Sequence, residues 1–364
     1  MKILYLCHID WLWIKQRPQF LAEELAKKHH VDVFYQPSFR KHNLQKNYKA
    51  TEVALSMNIK KLKKIPLKNR YKILFVINNF YQKIFIKKLI QKENYDFIYI
   101  THPEFYPLIK DLINKVIYDC MDDHSSFFGK NDSRASLYDF YEKKLCEAEN
   151  VHILASSHSL EKKLSKYTQK NITIIRNGVK DSFVSNHLSA KVKMNNLKSK
   201  PKPKLIVSYI GTIADWFDFS MLSQASDKVE FHVYGPKEVN SSHFSGNIIY
   251  KGILEHDQIK SVALSSDALI MPFIVNKLIE SVDPVKLYEY ISFNKPIICC
   301  YYNEISRFSE FVHFYTDQHS FNGILNDLIC SRLTLYDFDS AHDFLVGSTW
   351  SSRGGALNEL LDNV

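Results

Sequence analysis

The sequence predicts an α/β protein built from two Rossmann-like domains, each with a parallel sheet wrapped by helices. Short apolar runs alternate with segments of helical periodicity through both halves of the chain. A polar, lysine-rich stretch at residues 185–204 separates the halves and ends in Pro-Lys-Pro-Lys. At 364 residues the chain is also longer than one hydrophobic core usually supports. We therefore predict a domain over 1–184, a linker over 185–204 and a second domain over 205–345.

In the first half, helical periodicity at residues 18–28 and 71–91 supplies two of the crossovers between strands. Because such crossovers are right-handed, the carboxyl ends of the strands meet at one edge of the sheet. We expect the ligand-binding loops of this half at that edge. The predicted strands cover residues 3–9, 31–35, 97–101, 116–120, 151–155 and 172–175.

The second half repeats the alternation and contains a short helix at residues 284–293. Asp283 is predicted as its N-cap and Pro284 as its first residue, and Asn294 is predicted to end it. Other helices are expected from about residues 218 and 255. Loops at the carboxyl ends of both sheets are expected to face a shared cleft, where such sheets bind ligands. The predicted strands cover residues 205–210, 231–234, 248–250, 268–271 and 297–301.

The net charge of +9 is distributed unevenly. Residues 53–92 contain no Asp or Glu, and Lys and Arg are interleaved there with Ile, Leu, Phe and Tyr. This pattern is typical of a surface that binds an anionic membrane, and also of an ordinary solvated helix. Nucleic acid would be attracted by the same charge, but no helix-turn-helix, zinc or RNA-binding signature accompanies it. The sequence therefore predicts no nucleic-acid partner.

Cysteine usage and hydropathy bear on the cellular compartment. The six cysteines show no Cys-x-x-Cys spacing, and most lie in apolar runs, as buried reduced thiols do. The N-terminus has no signal-peptide pattern, and no run of 18 apolar residues occurs. We expect a cytoplasmic protein that contacts the membrane, if at all, from its inner face.

Three glycines follow consecutive strands of the second half: Gly211, Gly235 and Gly252. A glycine at such a position lets backbone amides approach a phosphate or a base, although each one alone is also ordinary turn chemistry. Lys286 and Glu289 then share one face of the short helix. An ammonium with helix N-terminal amides suits a diphosphate, and a carboxylate suits ribose hydroxyls. The alternative is a surface ion pair.

In the first half, a predicted strand runs into Asp122, Asp123 and His124. Two carboxylates and an imidazole at a strand end suit general-base catalysis or orientation of a hydroxyl, although an aspartate there can also satisfy loop amides. A tryptophan-containing loop at residues 8–18 and His102 follow two other strands, so they border the same edge. No Asp-x-Asp motif accompanies these residues, so no metal site is predicted.

Several short motifs, taken in order, resemble GT-B fold glycosyltransferases, in particular glycosyltransferase family 4 and the teichuronic acid and other cell-surface polysaccharide enzymes of bacteria. The resemblance extends over nearly the whole chain. Its motifs are Trp13-x-x-Gln16-Arg17-Pro18, Tyr118-Asp-x-x-Asp122-Asp123, Arg176-Asn177-Gly178-Val179, Tyr209-Ile-Gly211 with Trp216-Phe-Asp218, and Asp283-Pro-Val-Lys286-Leu-Tyr-Glu289-Tyr.

The resemblance implies two facing domains with an interdomain cleft, a nucleotide-sugar donor, an acceptor and no essential metal or other cofactor. It also implies that residues 346–364 form a helix that returns to the first domain. The expected donor-binding residues are Gly211, Thr212, Trp216, Gly235, Pro236, Gly252, Ser281, Asp283, Pro284, Lys286, Leu287 and Glu289. The expected acceptor-binding residues are Asp10, Trp11, Trp13, Arg17, His102 and His124, and the expected catalytic residues are Asp122 and Asp123.

The sequence departs from the family pattern at one position. Many retaining members carry a glutamate eight residues before the position of Glu289, where this chain has Ser281. Inversion and retention at the anomeric centre therefore both stay open. We expect transfer of a sugar, from a donor that is UDP-linked, to a lipid-linked or polymeric glycan. The alternatives are a nucleotide-sugar 2-epimerase of the same fold and a catalytically silent assembly subunit.

Overall fold

The computed structural model of the protein describes residues 1–38, 57–68, 70–129, 132–194, 204–255 and 258–364. Contacts divide the chain into two units, Met1–Arg176 with Arg353–Val364, and Asn177–Ser352. Each unit has its own parallel sheet and its own buried apolar core. The predicted α/β architecture with two Rossmann-like domains is confirmed.

The first unit contains a seven-stranded sheet in the order β3-β2-β1-β4-β5-β6-β7. Every strand pair in it is parallel, so the carboxyl ends of β1, β4 and β5 lie side by side at its centre. Its elements are β1 Lys2–Cys7, α1 Arg17–Ala26, β2 His30–Tyr35, β3 Met57–Lys61, α2 Lys72–Glu93, β4 Phe97–Ile100, α3 Tyr106–Ile109, β5 Lys115–Cys120, α4 Ser133–Glu147, β6 Val151–Ala155, α5 His158–Leu164 and β7 Ile172–Ile174.

The second unit contains a six-stranded parallel sheet in the order β10-β9-β8-β11-β12-β13. The order places β8, β9 and β10 next to one another; Gly211 and Gly235 directly follow β8 and β9, and Gly252 is the last residue of β10. Its elements are α6 Asp181–Met194, β8 Leu205–Ile210, α7 Phe219–Ser223, β9 Val229–Tyr234, β10 Ile248–Gly252, α8 Gln258–Ser265, β11 Ala268–Met271, α9 Val285–Ile291, β12 Ile297–Cys300, β13 His313–Tyr315, α10 Gln318–Ile329, α11 Phe338–Val346 and α12 Trp350–Asn363, which continues into the first unit.

Two strands escaped the sequence analysis. β3, with the sequence Met-Asn-Ile-Lys-Lys, is an edge strand whose side chains are mostly exposed, so it lacks the apolar run of a buried strand. β13 has only three residues and also lies at an edge. Strands this short or this polar carry no periodic signal.

The predicted linker is wrong over residues 185–194, which belong to α6. Phe183 anchors the start of this helix in the core of the second unit, with its ring 5.7 Å from that of Phe293. The polar composition of 185–204 hid this anchor, which lies just before the stretch. The remainder of the predicted linker, 195–203, lies outside the described residues.

Three further observations concern the cysteines, the hydropathy of the helices and the basic stretch. All six cysteines are free thiols, and five are buried, whereas Cys330 is exposed and does not match the expectation of burial. Among the described residues, no helix combines the length and hydropathy needed to cross a bilayer. Residues 53–56 and 69 of the basic stretch lie outside the described part of the chain.

Candidate functional site

The three glycines of the second unit form one continuous backbone edge. The Gly211 amide donates to Tyr234 O at 2.9 Å, and the Gly235 amide donates to Gly252 O at 2.8 Å. Gly235 has a φ of +135°, and a Cβ there would lie 2.0 Å from Gly211 O. No other residue type fits that position. The ends of β8 and β9 thus pack backbone against backbone.

The loop after β8, which lies beside this edge, has a backbone amide available as a hydrogen-bond donor, that of Thr212. The Thr212 carbonyl accepts a hydrogen bond from the Tyr209 hydroxyl at 2.7 Å, but the Thr212 amide donates to no other described residue. Ile213 and Pro236 tie the two loops together through a backbone hydrogen bond of 2.8 Å. An unused amide next to a glycine edge is suited to binding a phosphate oxygen.

Lys286 and Glu289 lie on α9 beside the same edge. A Cβ on Gly211 would be 3.1 Å from Lys286 Cε, so the lysine stem packs directly against this glycine. Lys286 Nζ donates to Glu289 Oε2 at 3.0 Å, and both side chains are partly exposed. The structure therefore brings together the glycines, the ammonium and the carboxylate that the sequence singled out. An incoming ligand would exchange this ion pair for its own contacts.

Asp283 has a different role from the predicted N-cap. Pro284 occupies the N-cap position of α9, and the Asp283 side chain turns away from the helix amides. Its carboxylate accepts from the Asn177 amide at 2.7 Å and from the Tyr288 hydroxyl at 3.0 Å, and it pairs with Arg307. A buried carboxylate gains more from a guanidinium than from amides at the end of a seven-residue helix.

Two other predicted donor residues are buried in the second unit. Leu287 has no exposed surface and belongs to the apolar core. Ser281 is 6% exposed, and its hydroxyl donates to Leu278 O at 2.7 Å. Neither side chain offers a free group to a ligand in this conformation. Trp216 is partly exposed and packs against the core.

Asp122 lies at the carboxyl end of β5 in the first unit. Its carboxylate accepts no hydrogen bond from the described residues, and the residue as a whole is partly exposed. Burial of the group, reinforced by the neighbouring carboxylates Asp119 and Asp123 and opposed by the charge of Arg17, raises the pKa of Asp122 to about 7. A carboxylate with this pKa can both accept and release a proton near neutral pH.

Asp123 differs from Asp122 in its burial, in its hydrogen bonds and in the direction of its pKa shift. It is 3% exposed, and its carboxylate accepts from the hydroxyls of Ser125 at 2.9 Å and Ser126 at 2.6 Å. Lys163 on α5 donates to it at 2.7 Å and pairs with Glu142 on α4 at 2.5 Å. Lys163 and the hydroxyl donors lower the pKa of Asp123 far below its ordinary value, despite its burial. Asp123 is therefore fixed as a permanent anion that holds the loop.

Three histidines follow β1, β4 and β5 and contact one another. The ring centroids of His102 and His124 are 4.1 Å apart, and that of His8 lies 4.8 Å and 5.4 Å from them. Burial lowers the pKa of His8 to about 4 and lowers the pKa values of His102 and His124 well below the ordinary value of histidine. The three rings are therefore neutral at pH 7. His124 Nε2 is buried without a hydrogen-bond partner.

The tryptophan-containing loop is more structural than predicted. Arg17 is 2% exposed and makes a bidentate ion pair with the fully buried Asp119, at 2.7 to 3.1 Å. Trp11 is buried at 3% exposure, and the Asp10 carboxylate accepts from the amides of Leu12 and Ser38. Contact of these three side chains with an acceptor does not fit this conformation, because their groups are already used inside the unit.

Trp13 is the exception in this loop, because its side chain is partly exposed. Of the acceptor residues predicted there, it alone keeps surface for a ligand within the described residues. Among those residues, no group of three or more His, Cys, Asp or Glu side chains is arranged to hold a metal ion.

Known proteins similar to this chain include one curated relative and several solved structures. No family model matches the chain. A Bacillus subtilis protein named as a teichuronic acid biosynthesis glycosyltransferase is 24% identical over 223 residues, which cover 55% of this chain and 54% of that relative. The match thus spans about half the length of the curated relative.

Solved structures match the whole chain at low identity. Sucrose-phosphate synthase from Thermosynechococcus elongatus superposes with a TM-score of 0.71 at 13% identity, covering 100% of this chain and 99% of its own. HepE from Anabaena, in complex with UDP-glucose, superposes with a TM-score of 0.68 at 12% identity, covering all of both chains. The chain has the GT-B fold. Within this GT-B chain, the second unit carries the glycine edge and the first unit carries Asp122.

Sequence reasoning missed the residues that separate the roles of the two aspartates and of Asp283. Lys163 neutralises Asp123, and Arg307 neutralises Asp283. Each pair joins residues at least 24 positions apart, so no local pattern in this GT-B chain indicates it. His8 was visible as a strand-end residue, but its contact with the other two histidines depends on strand order.

Proposed function

We propose that this protein is a glycosyltransferase that moves a sugar from a UDP-sugar to a lipid-linked or polymeric glycan in bacterial surface polysaccharide synthesis. The observation that carries the proposal is the edge of the second sheet, where Lys286 packs against Gly211 beside two further strand-end glycines. The named relative and the UDP-glucose bound to HepE support the same assignment. The protein would act in the cytoplasm, at the inner face of the membrane.

The donor would be held by the second unit. Lys286 would bind the diphosphate, and the amide of Thr212 would donate to a phosphate oxygen. Glu289, once released from Lys286, would accept hydrogen bonds from ribose hydroxyls. Helix α9 has only seven residues, so the lysine charge contributes more here than the helix dipole.

Asp122 would act on the acceptor. As the acceptor oxygen forms its bond to the anomeric carbon, the bond from that carbon to the diphosphate breaks and UDP leaves. The acceptor hydroxyl proton passes to the Asp122 carboxylate. A group with a pKa of about 7 is suited to this transfer, and the reaction would invert the anomeric centre. No metal takes part in this scheme.

Thermal unfolding in the presence of nucleotide-sugars tests donor binding. UDP and UDP-glucose should raise the melting temperature, since a ligand at 100 times its Kd stabilises the folded state by about 2.7 kcal/mol. The Glu289→Gln variant should lose most of this shift, and Glu310→Gln, a change at an exposed carboxylate of the same unit, should keep it. Equal shifts in both variants would remove Glu289 from the site.

Product analysis tests the reaction itself. With donor and a lipid-linked glycan acceptor, the expected product is the elongated glycan together with UDP, and its anomeric configuration reports inversion. Without acceptor, the donor sugar should be recovered unchanged. An epimerised donor in that second reaction would establish the epimerase instead. Donor binding without either product would establish a silent GT-B subunit.

A further inference from the structure

Helix α2 exposes apolar side chains along its first three turns. Ile73 is 70% exposed and Phe80 is 67% exposed, although both belong to a helix that packs on the sheet of the first unit. The exposed side chains are three or four residues apart, so they form one continuous stripe on the helix. We call it the apolar stripe of α2; it comprises Ile73, Val76, Ile77, Phe80, Tyr81 and Ile84.

The opposite face of this segment is polar and buried. Asn78 is fully buried and accepts from the Ile65 amide at 2.9 Å, and Gln82 is 1% exposed and donates to Lys63 O at 2.8 Å. The two amides also bond to each other at 3.1 Å. A soluble helix normally buries its apolar residues and exposes its polar ones. Here the hydrogen bonds of two amides fix the reverse orientation.

Charge around the stripe indicates what covers it. Lys87 and Lys88 continue the stripe into the last turns, and neither forms an ion pair within the described residues. The first acidic residue after position 52 is Glu93, at the end of the helix. A second copy of the chain docking on this face would bring its own lysines against these, at an electrostatic cost. An anionic lipid bilayer complements both features: its headgroups attract the lysines, and its acyl chains accommodate the apolar stripe.

We propose that α2 lies in the interface of an anionic lipid bilayer, with its apolar stripe inserted and Lys87 and Lys88 at the headgroups. This inference extends the proposed function, because an acceptor carried on lipid would be met at that surface. Vesicle binding needs neither donor nor acceptor, whereas transfer can be measured on a soluble glycan. Failure of one proposal is therefore distinguishable from failure of the other.

Flotation with vesicles tests the apolar stripe. The full chain should float with vesicles of phosphatidylcholine and phosphatidylglycerol mixed about 7:3, and should stay behind with phosphatidylcholine alone, since the lysines need anionic headgroups. The double variant Ile77→Ser with Phe80→Ser should lose binding at least about tenfold. The control, Ile113→Ser with Val346→Ser, removes two exposed apolar side chains outside α2 and should bind as the parent does.

Charge is tested separately. Lys87→Gln with Lys88→Gln should weaken partitioning onto the same vesicles about 30-fold, at roughly 1 kcal/mol for each lysine. Lys162→Gln with Lys166→Gln, exposed lysines on and next to α5, makes the same change in net charge and should have little effect. All four double variants change exposed side chains, so unaltered melting temperatures verify their folding.

Three results would overturn the proposal. One is equal vesicle binding by the serine variant and its control. Another is equal loss in both lysine variants, which would indicate a diffuse charge effect. The third is a dimer of the parent that Ile77→Ser with Phe80→Ser converts to a monomer, since a second copy would then be the occupant of the stripe.

Discussion

Replacing Asp122 with asparagine should abolish transfer and make the protein more stable. The carboxylate accepts no hydrogen bond from the described residues, so asparagine loses only the charge attraction of Arg17 there. Its pKa rises from an ordinary 3.8 to about 7 in the folded protein. The folded state thus binds a proton more readily than the unfolded chain between these values.

The sign of the stability change follows from that difference. A carboxyl group whose pKa is raised on folding is tolerated while protonated, and stability is lost as pH rises from 3.8 to about 7. Three pKa units correspond to an upper limit of about 4 kcal/mol, because one unit is about 1.4 kcal/mol. Asp122→Asn should therefore gain stability over the parent above pH 7 and match it near pH 4. Comparing the two proteins at each pH cancels the contribution of the buried histidines.

The same pKa fixes the pH dependence of transfer. A base must be ionised, so the rate should reach a plateau above pH 8, fall to about one tenth of it at pH 6 and to about one hundredth at pH 5. The assay is release of UDP at acceptor concentrations well below KM, where the rate reports the pKa of the free enzyme, paired with urea unfolding of both proteins at pH 4, 6 and 8. A rate that stays level from pH 5 to 8, or an asparagine variant less stable than the parent at pH 8, would refute the assignment of Asp122 as base.

Two further substitutions test the supports of the two sites. Lys163→Met should cost about 3 to 5 kcal/mol of unfolding free energy, measured in urea, because it leaves buried Asp123 and Glu142 without their cation; Lys162→Met, at an exposed neighbour, should cost little. Gly235→Ala should destabilise the second unit and abolish the thermal shift with UDP, because its Cβ would lie 2.0 Å from a backbone oxygen at a φ of +135°. A Gly235→Ala protein that melts and binds UDP as the parent does would show that the strand ends can separate at little cost.

The sequence was sufficient to predict the strands of both sheets except β3 and β13, because apolar runs and their spacing are local properties. The strands bearing the glycines and Asp122 were predicted within three residues of their ends, so the residues at the sheet edges could be named in advance. The roles of those residues could not, because each depends on a partner distant in sequence. Arg17 and Asp119, 102 positions apart, illustrate this: both are buried because they satisfy each other.

The adjacent aspartates show why residue type alone does not assign catalysis. Asp122 and Asp123 follow the same strand, yet Asp123 accepts from Lys163 and two hydroxyls while Asp122 accepts from no described donor. The pKa of Asp123 falls, because burial beside a cation favours the anion. The pKa of Asp122 rises, because burial without a hydrogen-bond donor favours the neutral acid. A single strand end thereby provides a rigid anion and, one residue earlier, a carboxyl group that can change its protonation state at neutral pH.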